Sequence, residues 1–195
     1  MSINASILAF AGSARKESYN KKLVKIAAAG ARGAGAQVEL IDLRDYPLPL
    51  YDEDLEKESG LPENAAKLKK LFSAADGLLI SCPEYNSSIT PLLKNTIDWV
   101  SRPEPNQAPL AGFSGKCAAL MSASPGALGG LRGLVSVRSI LGNIGVTVLP
   151  TQIAVSKAFE AFNADGSLKD AKQQAGIEKL GAALAVMAGK LGMKG

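Results

Sequence analysis

The stretch Ile7-Leu-Ala-Phe-Ala-Gly-Ser-Ala-Arg-Lys-Glu-Ser-Tyr-Asn20 decides the fold, because it predicts a strand, a polar turn and a helix start in direct succession. Its apolar run ends at Gly12, and a helical pattern begins at Tyr19. The turn and the helix start carry four hydrogen-bonding side chains: Ser13, Arg15, Ser18 and Asn20. Because a helix N-terminus offers unpaired N–H groups and the positive end of its dipole, this turn is suited to binding an anion.

The kind of anion follows from the residues that this turn lacks. A Walker turn needs a second Gly followed by Lys and Ser or Thr, and a Rossmann turn needs three glycines, whereas this turn contains Gly12 alone. Side-chain donors are suited to a terminal phosphate monoester more than to a pyrophosphate held against glycines. The alternative is a polar strand-to-helix turn in which Ser18 is only the helix N-cap.

Composition predicts one soluble α/β domain over residues 1–195. Hydrophobic residues make up 47% of the chain and charged residues 21%, which argues against a disordered chain. The net charge is +4, and lysines and arginines form no long run, so we expect no nucleic-acid partner. A mild positive field favours anionic small molecules such as nucleotides.

Residue types that bind metals or act as nucleophiles are scarce. The chain has no histidine, and its two cysteines, Cys82 and Cys117, each lie in an apolar run. We therefore expect buried thiols in a reducing compartment, no metal site, and neither Ser-His-Asp nor Cys-His chemistry. The sequence shows neither a signal-peptide pattern nor an apolar segment long enough to span a bilayer, so we expect a cytoplasmic protein without a membrane partner.

Strand and helix patterns alternate along the chain. Apolar runs predict five strands, at 6–11, 37–43, 77–82, 116–122, and 146–149 with a continuation at 153–155. Helical periodicity predicts five helices, at 19–32, from about Pro62, from Pro91, at 131–141 and at 168–191. Residues 45–58 are expected to form a long connection with only one turn of helix.

This alternation predicts an α/β fold with a flavodoxin-like, doubly wound sheet of five parallel strands and helices on both faces. The first, third and fourth strands are apolar on both faces, which is typical of such a sheet. Five strand–helix units of this size fit the strand order 2-1-3-4-5. In that order the first and third strands are neighbours, and ligands bind at this switch point, outside the carboxyl ends of the strands. We therefore expect the polar turns after both strands to face one crevice.

The second of these turns carries a specific resemblance. It reads Pro83-Glu-Tyr-Asn-Ser-Ser-Ile-Thr-Pro91, and the helix after it reads Leu92-Leu-Lys-Asn-Thr-Ile-Asp-Trp99. Together with the first turn and the stretch Gly129-Gly-Leu-Arg132, these motifs resemble the NAD(P)H-dependent FMN reductase family. That family is flavodoxin-like and includes quinone, chromate and azo-dye reductases. The resemblance spans about residues 6–141.

The resemblance implies FMN as the cofactor, with its phosphate in the first turn and its isoalloxazine against the second and third turns. The implied cofactor-binding residues are Ser13, Arg15, Ser18, Tyr19, Asn20, Pro83, Glu84, Tyr85, Asn86, Ser88, Ser122, Ser124 and Gly126. NADPH or NADH is the implied co-substrate, and flavin N5 accepts the hydride, so no catalytic acid or base and no metal is expected. The implied acceptors are quinones or similar compounds, such as azo compounds and chromate. One open flavin face predicts a ping-pong mechanism, and the family implies homodimers or homotetramers.

Two other functions stay open, namely a flavodoxin-type electron carrier and an FMN-based redox sensor. Neither of them would oxidise NAD(P)H in steady state. Electron carriers of this type are usually acidic, so a sequence pI near 9.0 argues against the first alternative.

Several motif residues also have structural interpretations. Tyr85 is either a flavin contact or a packing aromatic residue. Glu84 either contacts the cofactor, caps a turn or pairs with a lysine. Arg132 either contacts a ligand or forms a salt bridge between subunits. Ser87 and Thr90 stand where family members often have Gly and a variable residue, which puts the shape of the pocket mouth in question.

Overall fold

The computed structural model of the chain describes residues 4–104 and 107–192. Its strands are β1 (Ser6–Ala11), β2 (Gln37–Leu40), β3 (Gly77–Ser81), β4 (Glu84–Tyr85), β5 (Ser88–Ile89), β6 (Cys117–Ala123) and β7 (Thr147–Val155). Its helices are α1 (Tyr19–Gly33), α2 (Glu53–Ser59), α3 (Glu63–Ala74), α4 (Pro91–Val100), α5 (Leu131–Asn143), α6 (Ala158–Ala161) and α7 (Ala171–Gly192). Within these described ranges, no helix combines the length and the hydropathy needed to cross a lipid bilayer.

The five longer strands form one sheet in the order β2-β1-β3-β6-β7, and all neighbouring strands in it are parallel. This confirms the predicted flavodoxin-like order 2-1-3-4-5, since β6 and β7 are its fourth and fifth strands. β1 and β3 pair from Ile7 opposite Gly77 to Ala11 opposite Ser81, so both strands end at the same edge of the sheet. The polar turns that follow them therefore start side by side, as the sequence predicts.

Helices cover both faces of this sheet. Alternate residues of β1 enter different cores, because Ile7 packs in the core that contains α1 and α7, whereas Phe10 packs in the core that contains α3, α4 and α5. This double burial explains why the strands lack an alternating polar pattern. The prediction of a single domain over 1–195 also covers residues 1–3, 105–106 and 193–195, which lie outside the described ranges.

Two glycines allow α1 and α7 to approach each other closely. A Cβ on Gly30 would lie 2.0 Å from the carbonyl oxygen of Glu178, and a Cβ on Gly181 would lie 1.9 Å from the carbonyl oxygen of Ala27. Each helix therefore places a glycine against the backbone of the other helix. This contact holds the axis of α1 and, with it, the N-terminus of α1 at the carboxyl edge of the sheet.

Two predicted boundaries between the second strand and α3 are wrong. β2 ends at Leu40 rather than at residue 43, because the Asp42 side chain accepts the N–H of Arg44 and a 3₁₀ turn begins there. Residues 53–59 form the helix α2 instead of a single turn, and the Asp52 side chain caps its N-terminus. Helix α2 has no buried residue, so it lacks the apolar stripe from which a helix is predicted.

The last strand and the last helix also differ in detail from the prediction. β7 continues through Pro150, with a register shift against β6 between Ala118 and Leu120. Pro150 lies within this shifted stretch of an edge strand, where the ladder is already interrupted, so a residue without an N–H is tolerated. The final helix begins at Ala171 instead of residue 168, since the Asp170 carboxylate accepts N–H groups of its first turn.

Candidate functional site

Three turns meet in one groove at the carboxyl edge of the sheet, and we call it the switch-point groove. The turns follow β1, β3 and β6, which are adjacent in the sheet. The groove is lined by Ser13, Arg15, Ser18, Tyr19, Asn20, Pro83, Glu84, Tyr85, Ala123, Ser124 and Pro125. The fold thus brings together all the residues proposed from the first turn and most of those proposed from the second.

The first turn has free donor capacity at its helix start. Ser18 occupies the N-cap position of α1, but its side chain makes no capping hydrogen bond, although the residue is only 4% exposed. The first turn of α1 contains no acidic residue. The Ser13 hydroxyl oxygen accepts the Arg15 N–H at 3.3 Å, and the Arg15 side chain is exposed. A hydroxyl at the helix start that makes no capping bond favours an anion site over the alternative in which Ser18 serves only as a cap.

Asn20 joins the ends of three elements beneath the groove. Its Nδ2 donates to the carbonyl oxygen of Ala123 at 2.8 Å, and its Oδ1 accepts the Ala123 N–H at 3.0 Å. Oδ1 also accepts the hydroxyl of Ser81 at 2.8 Å. Since an amide group has two N–H donors, one N–H of Asn20 is left over for a ligand. Asn20 therefore ties α1 to β3 and β6 and can still contribute one donor to the groove.

Thr90 links the first turn to the second, and the sequence did not single it out for this role. Its hydroxyl donates to the Gly12 carbonyl oxygen at 2.7 Å and accepts the N–H of Leu93 at 3.1 Å, so it also caps α4. A Cβ on Gly12 would lie 2.9 Å from the Cβ of Leu93, so the turn passes too close to α4 for a side chain. The available signal was a Thr directly before a Pro at a helix start.

The second turn is a two-residue hairpin between β4 and β5. Asn86 and Ser87 have φ values of 50° and 65°, and positive φ at both central residues is typical of a type I′ turn. Tyr85 precedes them at the rim of the switch-point groove and is 50% exposed, so it is not a packing aromatic residue. Asn86 and Ser88 are also exposed, but they lie outside the groove lining.

Two side-chain contacts attach this hairpin to α5. The Oε2 of Glu84 accepts the N–H of Gly133 at 3.1 Å, in the first turn of α5. The Nη1 of Arg132 donates to the hydroxyl of Ser87 at 3.0 Å. Glu84 thus caps the N-terminus of α5. Ser87 accepts a hydrogen bond that a Gly at this position could not accept. Both contacts fix the hairpin that carries Tyr85.

The third turn contributes fewer of the expected contacts. The Ser122 side chain is fully buried, and its hydroxyl donates to the Gly129 carbonyl oxygen at 2.7 Å, so it points away from the groove. Gly126 is exposed and lies outside the lining, whereas Ser124 lines the groove as expected. Ala123 and Pro125 also line it, although sequence analysis missed them because neither carries a polar side chain.

The thiols and the helix α4 have structural roles. Cys82 and Cys117 are free and fully buried. Burial raises the pKa of the Cys82 thiol well above its usual value and that of Cys117 to about 11, so both stay protonated at neutral pH. Lys94 pairs with Asp98 one turn away at 2.7 Å. In the described residues, no cluster of His, Cys, Asp and Glu could hold a metal ion.

Comparison with known proteins agrees with this geometry. The family model of NADPH-dependent FMN reductases matches residues 5–160. An NAD(P)H-dependent FMN reductase of Pseudomonas aeruginosa is 38% identical over 180 residues, which cover 92% of each chain. A quinone reductase of Pseudomonas putida is 36% identical over 166 residues, which cover 85% of each chain. The solved structure of FerB, a flavoenzyme NAD(P)H:(acceptor) oxidoreductase from Paracoccus denitrificans, has a TM-score of 0.79 and 30% identity, and the match covers 95% of this chain and 98% of FerB. The chain therefore belongs to the NADPH-dependent FMN reductase family.

Proposed function

We propose that this chain oxidises NAD(P)H through FMN bound in the switch-point groove and passes the electrons to a quinone. The observation that carries the proposal is Ser18, a buried N-cap serine without a capping bond, which lines the groove at the start of α1. Relatives named FMN reductase and quinone reductase support the electron donor and the acceptor class. Azo compounds and chromate are further candidate acceptors.

The residues of the first turn fit a phosphate monoester. Ser13 and Ser18 can donate their hydroxyl protons, and Arg15 supplies a guanidinium whose charge offsets that of the phosphate. The N-terminus of α1 adds backbone N–H groups and the positive end of its dipole. We propose that these groups bind the FMN phosphate, with the spare N–H of Asn20 as an additional donor.

The remaining groove residues would position the flavin ring. Tyr85 supplies an exposed aromatic face at the rim, and the turns at Pro83 and Ser124 border the groove on either side. When bound, FMN supplies the hydride and electron chemistry itself, so the protein needs no acid, base or thiol of its own. The protein's contribution is to bind the phosphate, to hold the ring against the turns and to leave one face open for substrates. Because donor and acceptor would share that face, we propose a ping-pong mechanism.

Steady-state turnover distinguishes this proposal from the two alternatives. We expect the purified yellow protein to oxidise NADPH continuously when a benzoquinone is supplied. A flavodoxin-type carrier or a redox sensor would bind FMN equally well but would show no sustained NADPH oxidation. Loss of the yellow colour without continued NADPH consumption would therefore contradict the reductase proposal. The homodimer or homotetramer stays a prediction from the family resemblance, and the cytoplasmic location stays a prediction from the sequence pattern.

A further inference from the structure

The part of the chain that forms β6, the third turn, α5 and β7 carries positive charge alone. Residues 105–159 contain no aspartate and no glutamate, whereas they contain Lys116, Arg132, Arg138 and Lys157. These four side chains carry as much charge as the net +4 of the whole chain. The side of the switch-point groove that the third turn forms therefore lies in a positive field, which favours anionic ligands.

Two of these four cations hold backbone carbonyl groups. The Nη2 of Arg138 donates to the carbonyl oxygen of Leu149 at 2.7 Å, and the Nζ of Lys116 donates to that of Ser73 at 3.2 Å. Arg138 thus attaches α5 to β7, and Lys116 satisfies a carbonyl group at the end of α3. Their charges serve the fold, so a ligand must be sought at the other two.

Arg132 and Lys157 flank the third turn and have no carboxylate partner. Arg132 lies in the first turn of α5, directly after the third turn, and the backbone N–H of Lys157 donates to the carbonyl oxygen of Gly126 at 3.4 Å. Both side chains are exposed, and neither forms an ion pair with an Asp or Glu of residues 4–104 and 107–192. Their charges are therefore available to an anion from solution.

Arg132 is also oriented by the β4–β5 hairpin. Its Nη1 donates to the hydroxyl of Ser87 at 3.0 Å, and a guanidinium has five N–H donors, so others are left for a ligand. The one acidic side chain of the hairpin, Glu84, accepts the N–H of Gly133 at 3.1 Å, where the positive end of the α5 dipole offsets its charge. Arg132 thus contacts a hydroxyl and keeps its full charge for an anion.

The position of Arg132 relates it to the part of a substrate that lies outside the groove. Tyr85 belongs to the same hairpin and lines the rim of the switch-point groove, whereas Arg132 and Ser87 lie outside the groove lining. A nicotinamide that stacks beside Tyr85 leaves the rest of its dinucleotide to extend past the rim. In NADPH this remainder carries a 2′-phosphate on the adenosine, which NADH lacks.

We propose that Arg132, oriented by Ser87, binds the 2′-phosphate of NADPH and makes NADPH the preferred electron donor. The proposal rests on the proposed function, because it places the nicotinamide beside Tyr85. A planar guanidinium matches a phosphate with two parallel N–H groups, which an ammonium cannot do. Arg132 is chosen over Lys157 for this reason, and because Arg132 contacts the hairpin that carries Tyr85.

Kinetics with both nicotinamide donors test the proposal. With a benzoquinone as acceptor, we expect kcat/KM of the FMN-loaded protein to be about tenfold or more higher for NADPH than for NADH. Arg132→Gln should lower kcat/KM for NADPH about tenfold, through KM, and leave that for NADH within about twofold. Calorimetry gives a readout without turnover. In the variant, adenosine 2′,5′-bisphosphate should bind several-fold more weakly, whereas 5′-AMP and FMN should bind as before.

Two further variants separate position from charge. Ser87 has a φ of 65°, which Gly adopts without strain, so Ser87→Gly removes the hydroxyl and leaves the turn intact. Because the hydrogen bond to Arg132 is exposed, its loss should lower the selectivity for NADPH only about twofold to threefold. Arg44→Gln is the matched control for charge, since Arg44 is exposed and follows β2 at the other end of the sheet. It should leave the selectivity unchanged.

Four outcomes would overturn the assignment while the proposed function stands. The first is sustained turnover with equal kcat/KM for NADPH and NADH in the unaltered chain. The second is an equal loss for both donors in Arg132→Gln, which would place Arg132 at a group that they share. The third is a loss of selectivity in Lys157→Gln but not in Arg132→Gln. The fourth is an Arg132→Gln protein with unchanged selectivity and a changed molar mass in solution, which would make Arg132 a subunit contact. Absence of NADPH and NADH oxidation by the unaltered, FMN-loaded chain would instead overturn the proposed function together with this inference.

Discussion

At the scale of single residues, Arg15 is the side chain that distinguishes a phosphate site from a general flavin surface. It is exposed and lines the switch-point groove. We expect Arg15→Ala to weaken FMN by about one to two orders of magnitude, because a hydrogen bond to a charged phosphate contributes about 1.5–3 kcal/mol. Riboflavin has no phosphate, so its affinity should change little. Titration of the flavin-free protein with each flavin, followed by fluorescence quenching, measures both affinities.

The control for Arg15 is its neighbour Lys16. This lysine is also exposed, but it does not line the switch-point groove. Lys16→Ala changes the net charge by the same amount and should leave the FMN affinity within about threefold. If Arg15→Ala weakened riboflavin as much as FMN, the phosphate assignment would be wrong.

Thr90 is a positioning residue, since it holds the first turn against α4 without lining the groove. Thr90→Val keeps the shape but leaves the Leu93 N–H and the Gly12 carbonyl without their partner. We expect a loss of about 1–3 kcal/mol in the free energy of unfolding, together with weaker binding of both FMN and riboflavin. Thr90→Ser retains the hydroxyl and should restore both properties. Urea unfolding and flavin titration of the two variants measure both properties. If the Ser variant were as impaired as the Val variant, the hydroxyl of Thr90 would not be what positions the first turn.

The buried thiols lead to a prediction of no effect on chemistry. Because burial holds the pKa of both thiols above neutral pH, Cys82 and Cys117 lack the thiolate that redox chemistry needs. The double variant Cys82→Ala, Cys117→Ala should therefore keep its turnover per bound FMN within about twofold. Steady-state rates of NADPH oxidation, divided by the concentration of bound FMN, measure this quantity. A large loss of turnover with FMN still bound would show that a thiol takes part.

At the scale of elements, the contact between α1 and α7 holds the start of α1 in place. Gly30→Ala would place a Cβ 2.0 Å from the Glu178 carbonyl oxygen of α7. A flexible side chain could rotate away from such a contact, but a helix backbone cannot. We expect a loss of about 1–3 kcal/mol or more in unfolding free energy, because overpacking forces the helices apart. For a chain of this size, that corresponds to a fall in Tm of about 2–4 °C for each kcal/mol. Thermal unfolding followed by circular dichroism measures it.

Gly33 provides the matched control in the same helix. A Cβ at this position has no atom within 4 Å, and the residue is exposed. Gly33→Ala should therefore leave stability unchanged or raise it by up to about 1 kcal/mol, since Ala is the better helix former. Equal effects of the two substitutions would show that the close contact between α1 and α7 is not what Gly30 provides.

The elements that sequence analysis predicted are those whose pattern comes from burial. β1, β3 and β6 are apolar because helices cover both of their faces, so their positions could be predicted from apolar runs and their order from the doubly wound pattern. Helix α2 has no buried residue, and its capping residue Asp52 alone was too weak a signal to predict a helix of this length. The β4–β5 hairpin was missed because its turn is Asn86-Ser87, not the Asn-Gly pair that usually marks a type I′ turn.

The candidate site was predictable where polar side chains supply the contacts. It was not predictable where the course of the backbone determines which residues face the groove. Ser13, Arg15 and Ser18 follow directly from donors at a helix start, and they do line the groove. Ser122 was expected at the site only from the family resemblance, and its hydroxyl bonds to Gly129 inside the third turn. Side-chain direction at the end of a strand depends on the register of the sheet, which the local sequence does not show.

At the scale of the whole molecule, the open switch-point groove leads to a kinetic prediction. The groove has one exposed aromatic rim at Tyr85, and we propose that NADPH and the quinone each stack on the flavin beside it, so the two cannot bind together. Initial rates against NADPH at several fixed quinone concentrations should then give parallel double-reciprocal lines. Excess quinone should inhibit competitively with NADPH, and NADPH added alone should bleach the flavin. Intersecting lines, with no bleaching by NADPH alone, would contradict the shared site and the ping-pong mechanism.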